Sequence, residues 1–176
     1  MSPSKIPPDR PSTQSKSGRR RLGRAQSDHI IDPYKQTAKL HEPVYCKQCG
    51  ATYDHGRWQW SPPPNGAQPS LCQACHRIND RFPAGIVTLT GAPVSAHRDE
   101  IVRLVRHQEQ AEKSEHPLNR IMAIDDKLPD RLEISTTDIH LPCRIGHAVR
   151  RAYKGELTEH FDKEGYFVRV NWRHDG

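Results

Sequence analysis

Residues 46–75 read CKQCGATYDHGRWQWSPPPNGAQPSLCQAC, a stretch that opens and closes on a C-x-x-C pair. In each pair the two intervening residues let both sulfurs point at one ion while the turning backbone amides donate to the thiolates. Cys46 with Cys49 and Cys72 with Cys75 supply four thiolates, the closed tetrahedral shell of a structural zinc. Gly50, directly after the first pair, provides the positive-φ residue such a knuckle uses. An iron in a rubredoxin-like site takes the same ligands, so zinc is preferred without iron being excluded. With four thiolates the shell keeps no open position for substrate, which speaks against metal catalysis. A disulfide framework fits less well, because the chain lacks the apolar core of an export signal. Cys72-Gln-Ala-Cys75-His76 also matches the haem-attachment pattern, but that chemistry belongs to exported proteins and leaves the first pair without a role. The fifth cysteine, Cys143, falls on an apolar stripe further along and reads as a small buried hydrophobe.

Working outward, residues 42–82 form a loop-rich unit around these pairs. Gly56–Trp60 alternates like a short strand, and the SPPPNGAQPS run after it cannot continue one. Trp58 and Trp60, two apart, share a face for packing the unit against its neighbour; a base-stacking platform is the alternative. Aliphatic residues are too few for a core, so the ion has to hold the unit together. Metal binding contributes roughly 10 kcal/mol or more in small zinc peptides, which is the right size.

Across residues 83–176 the apolar residues become periodic. A strand is expected at 86–90, ending at Gly91. A helix follows through His97–Glu112, opened by Ser95 or Ala96, with Ile101, Leu104 and Val105 on one stripe. Strands are expected at 119–124 and 131–136. Thr137 or Asp138 then caps a second helix to about Lys154, with Ile139, Cys143, Gly146, Val149 and Tyr153 on its apolar stripe and Gly155 as its stop. Leu157–Phe161 and Tyr166–Arg173 make a closing hairpin, the latter strand placing Tyr166, Val168, Val170 and Trp172 on one face. The expected fold class is therefore α+β: a four-cysteine zinc ribbon or knuckle unit, then a split-βαβ (ferredoxin-like) domain with an extra hairpin strand.

Toward the N-terminus, residues 1–30 have no aromatic residue and no apolar period, and are expected to be a disordered basic tail. Residues 31–41 read as a linker docked on the folded part. The formal charge of +6 is confined to the tail: residues 1–24 hold seven Lys/Arg and one acid, and the remaining residues hold twenty bases and twenty acids. Lys16, Arg19, Arg20, Arg21 and Arg24 have the composition of an extension that follows phosphate backbones. Arg57, Arg150, Arg151 and Lys154 are candidates to continue that basic track over the folded part. No apolar run reaches the ~18–20 residues of a bilayer span, and Pro3, Pro7, Pro8 and Pro11 would break the helix of a transit peptide. A cytoplasmic protein with no membrane partner is expected.

Catalytic signatures are missing from the sequence. There is no Gly-rich phosphate loop, nucleophile elbow or H-E-x-x-H, and Asp125-Asp126 read as a solvated turn. An HNH-like nuclease centre needs His55, Asn65 and His76 to be forced together. Neither an RNA-recognition signature nor a small-molecule substrate is indicated.

These residues resemble a known family. The C-x-x-C-G, the second C-x-x-C and the α/β order after them are similar to the N-terminal region of the large-ribosomal-subunit export adaptor of the nonsense-mediated-decay-three type. DPYKQTAKLHEPVYCKQCGATYDHGRWQW, RINDRFPAG, TTDIHLPCRIGHAVRRAYKGEL and GYFVRVNWR resemble, more closely, short bacterial proteins that share this layout. The resemblance covers residues 32–173. It implies a zinc-dependent ribosome- or rRNA-associated protein with Cys46, Cys49, Cys72 and Cys75 as ligands. Export itself is not implied, because the adaptors carry more C-x-x-C pairs and further domains. The expectation is a non-catalytic protein that binds the ribosome or ribosomal RNA, with a protein-protein adaptor or regulatory zinc module as the alternative. Oligomeric state is left open by the sequence.

Overall fold

The computed structural model describes residues 32–34 and 42–175. Lys16, Arg19, Arg20, Arg21 and Arg24 of the basic tail lie outside them, as do residues 31 and 35–41 of the linker. The chain is α+β, with two mixed sheets and four helices among the described residues. The first sheet comprises β1 (Val44–Cys46), β2 (Thr52–Asp54), β3 (Arg57–Gln59) and β4 (Gln68–Ser70), in the order β3-β2-β1-β4, and α1 (Gln73–Asp80) follows it. β4 falls inside the run read from sequence as turn alone. It pairs parallel to β1 at the sheet edge, where Pro69 removes no hydrogen bond that an inner strand would need.

The second half contains β5 (Gly85–Gly91), α2 (Ala92–Ala96), α3 (Arg98–Glu115), β6 (Ile121–Asp125), β7 (Arg131–Thr136), α4 (His140–Tyr153), β8 (Glu156–Phe161) and β9 (Val168–His174). Its strand order is β6-β7-β5-β9-β8. Central β5 runs antiparallel to β7 and parallel to β9. The parallel pair follows from the hairpin: β8 reverses the chain once more after α4, so β9 re-enters beside β5 in the same direction. Val87 lies opposite Ile134 and Val170, and Leu89 opposite Leu132 and Trp172. These rows face α3 and α4, and with Ile101, Val105, Leu141, Ile145, Val149 and Val168 they form the core. Between them, Thr88 aligns with Glu133 and Asn171 on the other face.

Helix boundaries and phases differ from the sequence reading in instructive ways. Neither Ser95 nor Ala96 opens the first long helix. Gly91 ends the strand at φ 117°, where an added Cβ would sit 2.1 Å from the His174 carbonyl oxygen, and α2 starts immediately with a proline in its first turn. α3 begins after His97 without a side-chain cap, but Asp99 and Glu100 in its first turn suit the helix dipole. Ile139 is the N-cap residue of the second helix, and Asp138 just before it satisfies the first-turn amides, its Oδ2 accepting from His140 and Leu141 at 2.7 and 2.9 Å. Pro142 lies in the first turn, where its missing N–H has no intrahelical partner to lose.

The buried arc of α4 is Leu141, Pro142, Ile145, Gly146 and Val149. Ile139, Cys143 and Tyr153 of the expected stripe are only partly buried. The helix packs on β5, β7, β8 and β9 and also against α3, so it buries a wider arc than one stripe predicts. Gly146 permits this approach, since a Cβ there would lie 2.6 Å from Val170 Cγ1. The closing strand starts at Val168, two residues later than expected. Asp162 Oδ1 accepts the amides of Tyr166 and Phe167 at 2.7 and 3.1 Å and holds both in the turn.

The corrected phase of α4 is testable. Ile145→Ala should lower unfolding free energy by about 2–5 kcal/mol, and Cys143→Ala by clearly less, as read from urea midpoints.

Candidate metal centre

The end of β1 and the start of α1 bring the four cysteines together. Cys46 N donates to Ala51 O and Gly50 N to Cys46 O, closing the first knuckle with Gly50 at φ 80°. Cys72 caps α1, its Sγ accepting from Cys75 N at 3.4 Å, while Cys72 N donates to Cys46 Sγ at 3.4 Å. Sγ separations are 3.7 Å for Cys46–Cys75 and 3.8 Å for Cys49–Cys72, and all four sulfurs lie within 4.8 Å of one another. A tetrahedron with metal–sulfur bonds of ~2.3 Å has sulfur–sulfur edges of about 3.8 Å. A disulfide needs ~2.05 Å. The four residues are thus positioned to hold a metal ion, and zinc is compatible with the geometry.

The small hydrophobic cluster of this unit is Cys46, Cys72, Ala74 and Cys75, with Cys49, Trp58, Leu71 and Leu118 packed on it. Three of the four ligands are themselves the core, as the shortage of aliphatic residues demands. Without a cation the four thiols cannot all ionise in so small a space. Burial raises the Cys46 thiol, but the amides of Cys72, Cys49 and Gln48 outweigh it and bring it down to about 6. Burial pushes Cys72 and Cys75 up, and the neighbouring Cys49 charge adds to that. A bound divalent ion removes the conflict by holding every sulfur as thiolate.

Arg120, which no sequence motif marks, sits against the cysteine cluster. Its guanidinium is buried, and Nη2 donates to Cys72 Sγ at 3.3 Å and Cys75 Sγ at 3.4 Å. Burial works against its charge, but hydrogen bonding to Cys75 and the charges of Cys75, Cys72 and Cys49 keep its pKa above the ordinary arginine value. Four thiolates around a divalent ion carry a net charge of −2, and Arg120 reduces this to −1. The arginine is held at β6 by Thr137, whose Oγ1 accepts Arg120 N at 2.9 Å and whose N donates to Arg120 O. Trp60 adds a second bond between the units, Nε1 donating to Lys113 O at 2.6 Å. Trp60 lies just beyond β3, while Trp58, within it, packs against Tyr53 with ring centroids 5.5 Å apart.

Of the linker, Asp32–Tyr34 is described, and it docks on α1. Both Asp32 oxygens accept from Arg77 Nη2 at 2.8 Å, and Arg77 is only 4% exposed. Tyr34 stacks on Phe82 and lies under the Arg77 guanidinium at 4.5 Å.

No family model, no curated protein and no solved structure matches this chain. The remaining candidates must be weighed on geometry alone. Arg150, Arg151 and Lys154 lie on the last turn of α4 and its C-cap, whereas Arg57 is on β3 of the metal unit. All four are exposed, and none makes an ion pair among the described residues. His55 sits at the β2–β3 turn beside Asp54, and His76 is exposed on α1. Among the described residues the four cysteines are the one group of three or more His, Cys, Asp or Glu able to share an ion. No helix among the described residues is long and apolar enough to cross a membrane.

Replacing Arg120 by Leu should weaken metal binding about 10–100-fold, measured by competition with a chromogenic chelator. Because protons compete for thiolates, metal should also be released as pH falls, and earlier in the Arg120→Leu protein. Burial, then the nearby Glu159, push the Cys143 thiol up to about 11. In metal-loaded protein at pH 8, its alkylation by iodoacetamide should be about a hundredfold slower than that of an ordinary thiol, as followed by mass spectrometry.

Proposed function

We propose that this chain is a non-catalytic, zinc-stabilised protein of the cytoplasm that binds the ribosome or ribosomal RNA. The observation that carries the reading is the division of charge: residues 1–24 hold the whole net charge of +6, and the rest of the chain is neutral. Such an arm supplies affinity for phosphate through counterion release, and a balanced body supplies shape.

Within the body several cations are already neutralised, Arg144 by Glu112, Arg131 by Glu133 and Arg173 by Glu156. Arg57, Arg150, Arg151 and Lys154 are not, and they are the body's contribution to the phosphate contact. The ion is structural zinc in this reading, since four thiolates and a buried arginine leave nothing with which to activate a substrate. The sheet is read as a split-βαβ layout in which β8 follows α4 as the fourth strand and β9, the extra hairpin strand, is inserted between β5 and β8, and the cysteine unit as a zinc knuckle. The resemblance to the export-adaptor N-terminal region supports the ribosomal partner.

Deleting residues 1–24 should reduce ribosome or rRNA binding by about tenfold or more at low salt. It should also flatten the dependence of log K on log salt, since each phosphate contact contributes ~0.7–0.9 to that slope. Co-sedimentation with ribosomes across a salt series measures both. Unchanged binding by the truncated protein sinks the role of the arm, and retention of partners after RNase treatment favours a protein-binding adaptor instead. Elemental analysis of the purified protein distinguishes zinc from iron.

A further inference from the structure

The four cysteines of the metal centre are not equally sheltered. Cys46, Cys72 and Cys75 are at most 1% exposed, whereas Cys49 is only half-buried. While the unit stays folded, Cys49 is therefore the one ligand residue that a solute can approach.

Hydrogen bonding divides the sulfurs in the same way. Cys46 Sγ accepts from Cys72 N at 3.4 Å, and Cys72 Sγ accepts from Cys75 N at 3.4 Å and from Arg120 Nη2 at 3.3 Å. Arg120 Nη2 also donates to Cys75 Sγ at 3.4 Å. Such bonds draw charge from a thiolate and lower its nucleophilicity. None of them serves Cys49, whose Sγ lies 3.8 Å from that of Cys72. A reachable thiolate with a second sulfur beside it is what a two-electron oxidant attacks and a resolving cysteine completes.

We propose that Cys49 is the site at which a hydroperoxide oxidises the cluster, with Cys72 as the resolving sulfur and loss of the ion as the result. The proposal rests on the metal centre and is independent of the ribosomal reading.

In the first step the Cys49 thiolate attacks one peroxide oxygen. The O–O bond breaks, the departing oxygen takes a proton and leaves as water, and Cys49 becomes a sulfenic acid. In the second, the Cys72 thiolate attacks the Cys49 sulfur. The S–S bond forms, the S–O bond breaks, and the hydroxide leaves with a proton as a second water. Two thiolates, one hydrogen peroxide and two protons thus give one disulfide and two waters, the sulfurs losing two electrons to the peroxide. A disulfide has its sulfurs ~2.05 Å apart, so the pair closes by about 1.8 Å. The ion keeps only Cys46 and Cys75 and dissociates.

Oxidation also reaches the second unit, because Cys72 is one of the two sulfur acceptors of Arg120. That guanidinium is buried, and its Nε already has no partner among the described residues. A buried cation deprived of counter-charge is strongly destabilising, so the contact between α1 and the start of β6 loosens.

The test uses full-length protein loaded with zinc. Its zinc content is measured first, which tells an absent metal centre from one that peroxide leaves intact. Hydrogen peroxide is then added in molar excess, with a chromogenic chelator reporting free zinc and dimedone trapping sulfenic acid for mass spectrometry. Zinc should be released, and dimedone should label Cys49 ahead of Cys46, Cys72 and Cys75. Without dimedone, non-reducing peptide maps should show Cys49 joined to Cys72. Cys49→His retains a four-ligand site of the Cys₃His kind and should lose the peroxide response, whereas Cys143→Ser should keep it. If Cys49→His takes up no zinc, the order of labelling in wild type decides. After oxidation, hydrogen exchange should rise in α1 and β6 and hold in β5 and β9. Zinc retained under excess peroxide, first labelling at another ligand, a first disulfide of different pairing, or unaltered release from zinc-loaded Cys49→His overturns the proposal. Unchanged exchange in α1 and β6 overturns the loosening of the interface.

Discussion

The hydrogen bonds from Arg120 to the sulfurs of Cys72 and Cys75 join two problems that neither half of the chain solves alone. The metal unit has almost no aliphatic core and concentrates four ionisable sulfurs in one small volume. The α/β unit starts β6 directly after a buried cation that would be ruinous without a counter-charge. Each supplies what the other lacks, so the cysteine cluster, the arginine and the interface are energetically one object. The orientation of the units follows from this, and with it the cleft whose two walls carry Trp58 and Asp138.

Asp138 shows how that interface divides one side chain between two environments. One carboxylate oxygen fixes the start of α4, the helix whose buried arc completes the α/β core. The other oxygen is buried without a partner among the described residues. Thr137 beside it does similar double duty, accepting from Arg120 N while its hydroxyl donates to Leu118 O.

Much of this architecture was readable from residue order. The two C-x-x-C pairs announced the metal cluster because ligand spacing is a local property, and the alternation Val168-Val170-Trp172 announced a half-buried strand for the same reason. What sequence missed depended on contacts between distant residues. Arg120 has no distinguishing neighbour in the chain, since its partners are 45 and 48 residues away. β4 looked like turn because its pairing comes from β1 rather than from any propensity of Gln68-Pro69-Ser70. The phase of α4 was misjudged because a helix packed against both a sheet and another helix buries Leu141 and Ile145 as well as one stripe. Tyr166 was placed in the last strand because alternation ran through it, but Asp162 captures its amide first.

The docking of Asp32 on Arg77 has a consequence for reach. An extended chain spans at most ~3.3–3.6 Å per residue, so Arg24, eight residues before the anchor, stays within about 29 Å of it. Lys16, sixteen residues before it, has a limit of about 58 Å by the same rule. The anchor thus grades the basic residues by radius, each one's range around Asp32 being set by its distance along the chain.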